Sequence, residues 1–155
     1  MAYQPTNDCM ICERIRWIKE GKNPYFVREL STGYVVIGDH QRFRGYSLFL
    51  CKQHAQELHF LEPEFRARFL YEMSIVAEAV YRAFQPDKLN YELLGVGRGL
   101  HMHWHIFPRR EGDMPVPGSV WLLGDALFSE EFLPSPKELE DLKEQLNAQL
   151  EKLLA

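Results

Sequence analysis

The sequence predicts a mixed α+β chain in which about five short strands and three helices form one domain. Three observations carry this. Residues 99–110 alternate polar and apolar side chains, with His101, His103 and His105 at every second position, the pattern of a half-buried strand. Residues 62–85 repeat apolar side chains at helical spacing. Residues 135–154 open with a helix-start signal and continue as a leucine stripe. At 155 residues the chain can bury a core without staples.

The elements follow in order. Residues 1–8 are polar and are expected to form a flexible N-terminus. Asn7 and Asp8 can cap a helix from Cys9, with Ile11, Ile15 and Ile18 as its apolar stripe. Gly21 and Pro24 close it. Residues 25–30 and 33–38 read as a hairpin about a turn at 31–33. Residues 39–45 are a polar loop, and 46–51 a third strand. In the long helix, Phe65, Phe69, Met73, Val76, Val80 and Phe84 form the core stripe, and Pro86 stops it. Residues 89–94 are a fourth strand. A loop with three glycines, Gly95, Gly97 and Gly99, leads to the histidine strand, which Pro108 is expected to end. Residues 120–123 read as a short strand or a contact between subunits. Ser135 and Glu138 make a capping box with Pro136 at the first helical position. Leu139, Leu142, Leu146, Leu150 and Leu153 must then bury against the body or a second subunit.

Bulk properties exclude several classes. A net charge of −4 argues against a general binder of nucleic acid polymers. No apolar run is long enough to span a membrane, and the start lacks a signal segment. The chain is expected to be cytoplasmic. Three cysteines do not suggest a disulfide framework.

The histidine row limits its own chemistry. In a strand the three side chains share one face, with Met102, Trp104 and Ile106 on the other. The outer two Cα atoms of such a row lie about 13 Å apart, whereas a zinc–nitrogen bond is about 2.0–2.1 Å. One ion cannot hold all three. Three solvated polar residues would be the plain alternative, but half of the chain's 6 histidines fall in this row. Neutral imidazole is a good nucleophile near neutral pH. Attack on phosphorus would split one hard displacement into two easier ones. A neighbouring histidine could serve the leaving group, and arginines could neutralise phosphate.

Cys9 and Cys12 form a lone Cys-x-x-Cys pair. A four-coordinate metal site would need two more ligands, from His54, His59 or His101, with Cys51 as an outsider. Otherwise the thiols pack as small hydrophobes.

His101-Met102-His103-Trp104-His105-Ile106-Phe107 fits the His-φ-His-φ-His-φ-φ signature, and the chain resembles the histidine triad (HIT) superfamily of nucleotide hydrolases and transferases. The resemblance covers about residues 9–121, with 122–155 as a C-terminal extension holding a helix at about 136–154. Pro108-Arg109-Arg110-Glu111-Gly112-Asp113 is similar to the Pro-Arg-x-x-Gly-Asp ending of the fragile-histidine-triad and bacterial diadenosine-polyphosphate-hydrolase-like branches. The resemblance implies that the strands pair as an antiparallel sheet with packed helices. It implies His103 as nucleophile and His105 as phosphate contact or proton donor, with no catalytic metal required. It implies a structural zinc on Cys9, Cys12, His54 and His101. It places Asp39 at the ribose, with Gly38 competing in register, and apolar residues of the early strands around the base. It implies a homodimer.

The chain departs from the family at three places. Tyr46 stands where a histidine is common, Val96 where an asparagine is, and Gly99 where a Ser or Thr precedes the triad. Arg98 is therefore read as a substitute source of charge. The reaction expected is hydrolysis or nucleotidyl transfer at the α-phosphate of nucleoside (poly)phosphates or phosphoramidates, through a nucleotidyl-histidine. Two other readings are a nucleotide-binding module with little turnover and a zinc-dependent hydrolase that uses two triad histidines as ligands.

Overall fold

The computed structural model describes residues 8–155; the N-terminal expectation for 1–7 lies outside the described residues. The elements are α1 (Met10–Lys19), β1 (Phe26–Glu29), β2 (Gly33–Ile37), β3 (Ser47–Cys51), α2 (Pro63–Phe84), β4 (Lys88–Leu93), β5 (His103–Arg109) and α3 (Pro136–Leu154), with short 3₁₀ turns between some of them. The strands make one antiparallel sheet in the order β1-β2-β3-β5-β4.

The sheet is covered on both faces, so every residue of β2 is buried. Strand alternation then assigns the two cores. Val35 and Ile37 join Phe49, Phe69, Val76 and Val80 under α2 and α3. Tyr34 and Val36 join Leu50, Ile11 and Ile15 under α1. Met102, Trp104 and Ile106 belong to the α2/α3 side, which leaves the neighbouring odd-numbered side chains of β5 to the α1 side. The C-terminal stripe is covered by the chain itself: Leu139, Leu142, Leu146 and Leu150 are buried, and α3 packs on α2 and β1.

Several expectations need correction. Cys9, not Asp8, caps α1; its sulfur accepts the Cys12 amide at 3.2 Å. Asn7 lies outside the described residues. Strand β5 begins at His103, so His101 precedes it in a bend. There the Met102 amide turns away to the Ala55 carbonyl, 2.9 Å away. Pro108 does not end the strand. Its partner is Leu89 on β4, while pairing with β3 stops at Ile106 and Ser47. Beyond that point β5 has a neighbour on one side only, where proline is tolerated. Residues 120–123 are not a strand. Val120–Phe128 forms 3₁₀ turns that meet at Gly124, φ +56°, and its Val120, Leu123 and Leu127 pack on Phe43 and Phe107.

Glu72 was not singled out by the helical stripe of α2, yet it is 2% exposed. It accepts the backbone amides of Ser31 and Thr32 and the Thr32 hydroxyl, so a buried carboxylate holds the β1–β2 turn. Among the described residues no helix is long and apolar enough to cross a membrane.

Candidate active site

The period of β5 aims His103 and His105 to the α1 side of the sheet, where they line a cleft of about 740 Å³. Leu48, Val36 and Leu50 of the sheet form apolar floor beside them, α1 contributes Met10 and Ile11, and Trp121 and Phe128 of the 120–128 turns also line it. The two rings are 4.8 Å apart between centroids.

Each ring is fixed by a partner. His103 Nδ1 lies 2.7 Å from the His101 carbonyl oxygen. A carbonyl only accepts, so we assign the hydrogen to Nδ1 and the lone pair to Nε2. Burial lowers the pKa of His103, so the ring is neutral near neutral pH. His105 Nδ1 lies 2.6 Å from the Tyr46 hydroxyl. Burial first, then the charges of Asp39 and Glu92, raise the tyrosine pKa, so the phenol keeps its proton. The phenol has no other acceptor among the described residues, so Tyr46 donates to Nδ1 and the hydrogen of His105 is assigned to Nε2. Burial, with a smaller contribution from His103, pushes the His105 pKa down to about 3. Tyr46 also stacks on Phe107, ring centroids 4.0 Å apart, which holds the hydroxyl in place.

His101 serves elsewhere. Its Nδ1 is 3.6 Å from Cys9 Sγ and 3.4 Å from Cys12 Sγ, and Cys12 Sγ is 3.2 Å from His54 Nδ1. The four ligand atoms all lie within 4.8 Å of one another. Tetrahedral zinc would set neighbouring sulfur and nitrogen donors about 3.6 Å apart, so two thiols and two imidazoles fit such an ion. His101 Nε2 donates to the Cys51 carbonyl at 2.6 Å, which makes Nδ1, the nitrogen beside the two thiols, the one that would ligate. Burial pushes the Cys9 thiol up to about 11, so a thiolate there calls for a cation beside it. His59 and Cys51 are not members of the cluster. The histidine row is thus divided: His101 belongs to the four-donor cluster, while His103 and His105 line the cleft.

The remaining predicted residues are placed as follows. Asp39 lines the cleft. A Cβ on Gly38 would come within 2.1 Å of the Tyr46 ring, so that position is reserved for glycine and does not present a side chain. Arg98 is at the cleft's rim, where it reaches the Asp8 carbonyl at 3.3 Å and Glu13 at 3.8 Å. A Cβ on Gly99 would meet His103 Cε1 at 3.7 Å, an ordinary contact, so Gly99 lies against the His103 ring without crowding it. Sequence reasoning missed Arg14, which binds Asp39 through two hydrogen bonds of 3.3 and 2.9 Å. His40, from the polar 39–45 loop, also lines the cleft and meets Phe128 edge-on.

Sheet, flanking helices and paired cleft histidines define a histidine triad protein. The HIT domain family model matches residues 34–112, and the chain belongs to that family. Solved structures share the fold. A histidine triad protein from Bradyrhizobium japonicum is 21% identical with a TM-score of 0.71, covering 97% of this chain and 99% of that one. One from Marinobacter aquaeolei VT8 is 22% identical with a TM-score of 0.71, covering 99% of both. A zinc-bound family member from Mycobacterium smegmatis is 23% identical with a TM-score of 0.62, covering 94% of both. No curated protein matches the sequence.

Proposed function

We propose that the chain is a nucleotide hydrolase or nucleotidyltransferase that acts at the α-phosphate of nucleoside (poly)phosphates or phosphoramidates. The observation that carries this is the His103 Nδ1 to His101 carbonyl bond of 2.7 Å, which leaves a neutral ring with its lone pair on Nε2 in the cleft. Nε2 attacks phosphorus and forms a phosphorus–nitrogen bond. The bond to the leaving oxygen or nitrogen breaks, and that atom takes its electron pair and then a proton. Water or a second acceptor then attacks phosphorus and releases His103. A buried, neutral His105 acts as a hydrogen-bond donor to the phosphate through Nε2–H rather than as a strong acid. Asp39 contacts the sugar, and the apolar floor encloses the base.

The four-donor cluster suits a structural zinc held by Cys9, Cys12, His54 and His101. Four protein ligands leave no open position, so the ion would fasten α1 to the sheet. The mechanism uses none of its chemistry.

The test is turnover and quenched intact-chain mass with a panel of adenylated substrates. A nucleotidyl adduct seen in the parent chain and lost in His103→Asn supports the enzyme. Saturable binding of adenosine monophosphate without adduct or product would favour a binding module.

A further inference from the structure

Two charged side chains that line the cleft, Arg14 and Asp39, pair with each other, and the basic one comes from the helix that carries Cys12. Arg14 on α1 meets Asp39 at 2.9 Å, with side chains 28% and 35% exposed. Both carboxylate oxygens are engaged, one by each terminal nitrogen. The guanidinium is backed by the Trp17 ring, 5.2 Å from its centroid. The Arg14 carbonyl accepts the Asn23 side-chain amide at 3.3 Å, and Asn23 Oδ1 accepts the Tyr25 amide at 2.9 Å. Arg14, Asn23 and Asp39 all line the cleft that holds His103 and His105.

This pair has two consequences. A carboxylate standing alone would repel an incoming phosphate; the guanidinium cancels that field. A planar two-bond contact also fixes the carboxylate's orientation, and each oxygen keeps a lone pair for a second donor. A fixed carboxylate with two lone pairs matches two adjacent hydroxyls.

We propose that Arg14 is a positioning residue for sugar recognition: it neutralises and orients Asp39 so that the cleft selects nucleotides with both ribose hydroxyls. This rests on the nucleotide reading above. Lysine cannot reproduce the planar contact, because an ammonium is a point donor.

Calorimetric titration of the zinc-loaded full chain tests it, with adenosine, adenosine monophosphate and the 2′-deoxy and 3′-deoxy monophosphates. The parent should prefer the monophosphate over each deoxy analogue by about tenfold or more, the scale of a hydrogen bond to a charged group. Arg14→Gln should weaken the monophosphate and reduce that preference to within about twofold. Arg14→Lys should restore affinity but not the preference. Asp39→Asn should remove the preference and tighten the monophosphate relative to adenosine, because the guanidinium is then unopposed. Melting temperature and zinc content report folding, and Asp39→Asn decides the matter alone if Arg14→Gln misfolds. A parent that ignores the deoxy changes, an Arg14→Gln chain that keeps the preference, or an Asp39→Asn chain that binds the monophosphate less well relative to adenosine overturns the proposal. In those cases the phosphorus chemistry at His103 stands. A parent that binds none of the nucleotides and forms no adduct overturns both readings.

Discussion

The backbone carbonyl of His101 holds Nδ1 of His103 at 2.7 Å, while the His101 ring sits among Cys9, Cys12 and His54. One residue therefore belongs to both the metal-type cluster and the proposed nucleophile's support. Disturbing the cluster should reach the cleft through this residue and through α1.

Chelation or Cys12→Ser should first lower the melting temperature. A loss of about 2–3 kcal/mol would shift it by about 5–10 °C in a domain of this size. Activity should fall with the folded fraction, and further as the His101 support of His103 loosens. Differential scanning calorimetry with parallel assays checks this. Immediate loss of activity with an unchanged melting temperature would instead place the ion in the chemistry.

Tyr46→Phe should keep the fold, because the stack on Phe107 needs only the ring. It removes the 2.6 Å bond to His105 Nδ1. The ring is then free to change tautomer, and kcat should drop about tenfold, less than the roughly hundredfold or more for losing a donor that itself contacts substrate, because Tyr46 acts through His105. Nitrogen NMR should show the hydrogen on Nε2 in the parent and a mixture in the variant.

The low pKa of His105, about 3, gives a pH dependence with a defined sign. In the unfolded chain the ring titrates near 6.5. Between those values the unfolded state binds the extra proton, so stability falls as pH falls through that window. Acid titration of the melting temperature should show this slope, and His105→Asn should reduce it.

Glu72→Ala should cost about 2–4 kcal/mol, because it leaves two turn amides unsatisfied. Burial pushes the Glu72 carboxyl upward, but hydrogen bonds from Thr32 and Ser31 outweigh this and hold its pKa below the usual value. Its contribution is thus present above the ordinary carboxylate range and is lost as pH falls through the lowered value. Urea unfolding of the variant measures the cost.

Two glycines near the site should respond oppositely. Gly38→Ala must displace the Tyr46 ring, against which its Cβ would lie at 2.1 Å, and should impair both stability and activity. A Cβ at position 99 meets nothing closer than 3.7 Å, so Gly99→Ala should fold normally. Melting temperatures of the two variants check the contrast.

The parts of the fold written in local periodicity were legible. Alternation in β5 identifies His103 and His105 as neighbours on one face, and helical spacing identifies Phe69, Val76 and Val80 as core. The C-terminal helix follows the same helical pattern, whereas the pairing of the strands into one antiparallel sheet came from the family resemblance. Contacts between distant segments were not legible. Arg14 and Asp39 lie 25 positions apart, so nothing local marks them as partners. Glu72 looks like one more charge on an amphipathic helix until the 31–32 turn is packed against it. Pro108 reads as a terminator because the sequence does not reveal that β3 has already ended beside it. The Cys-x-x-Cys pair pointed to a metal, but the other donors came from the family resemblance, since His59 and Cys51 fit the spacing as well as His54.

The most direct test locates the phosphorus on the chain. The protein is mixed with an adenylated substrate, quenched within its first turnovers, digested in base where phosphorus–nitrogen bonds survive, and mapped by tandem mass spectrometry. The expected result is a nucleotidyl group on His103. A label on His105, or turnover with no label on any histidine, would contradict the central claim.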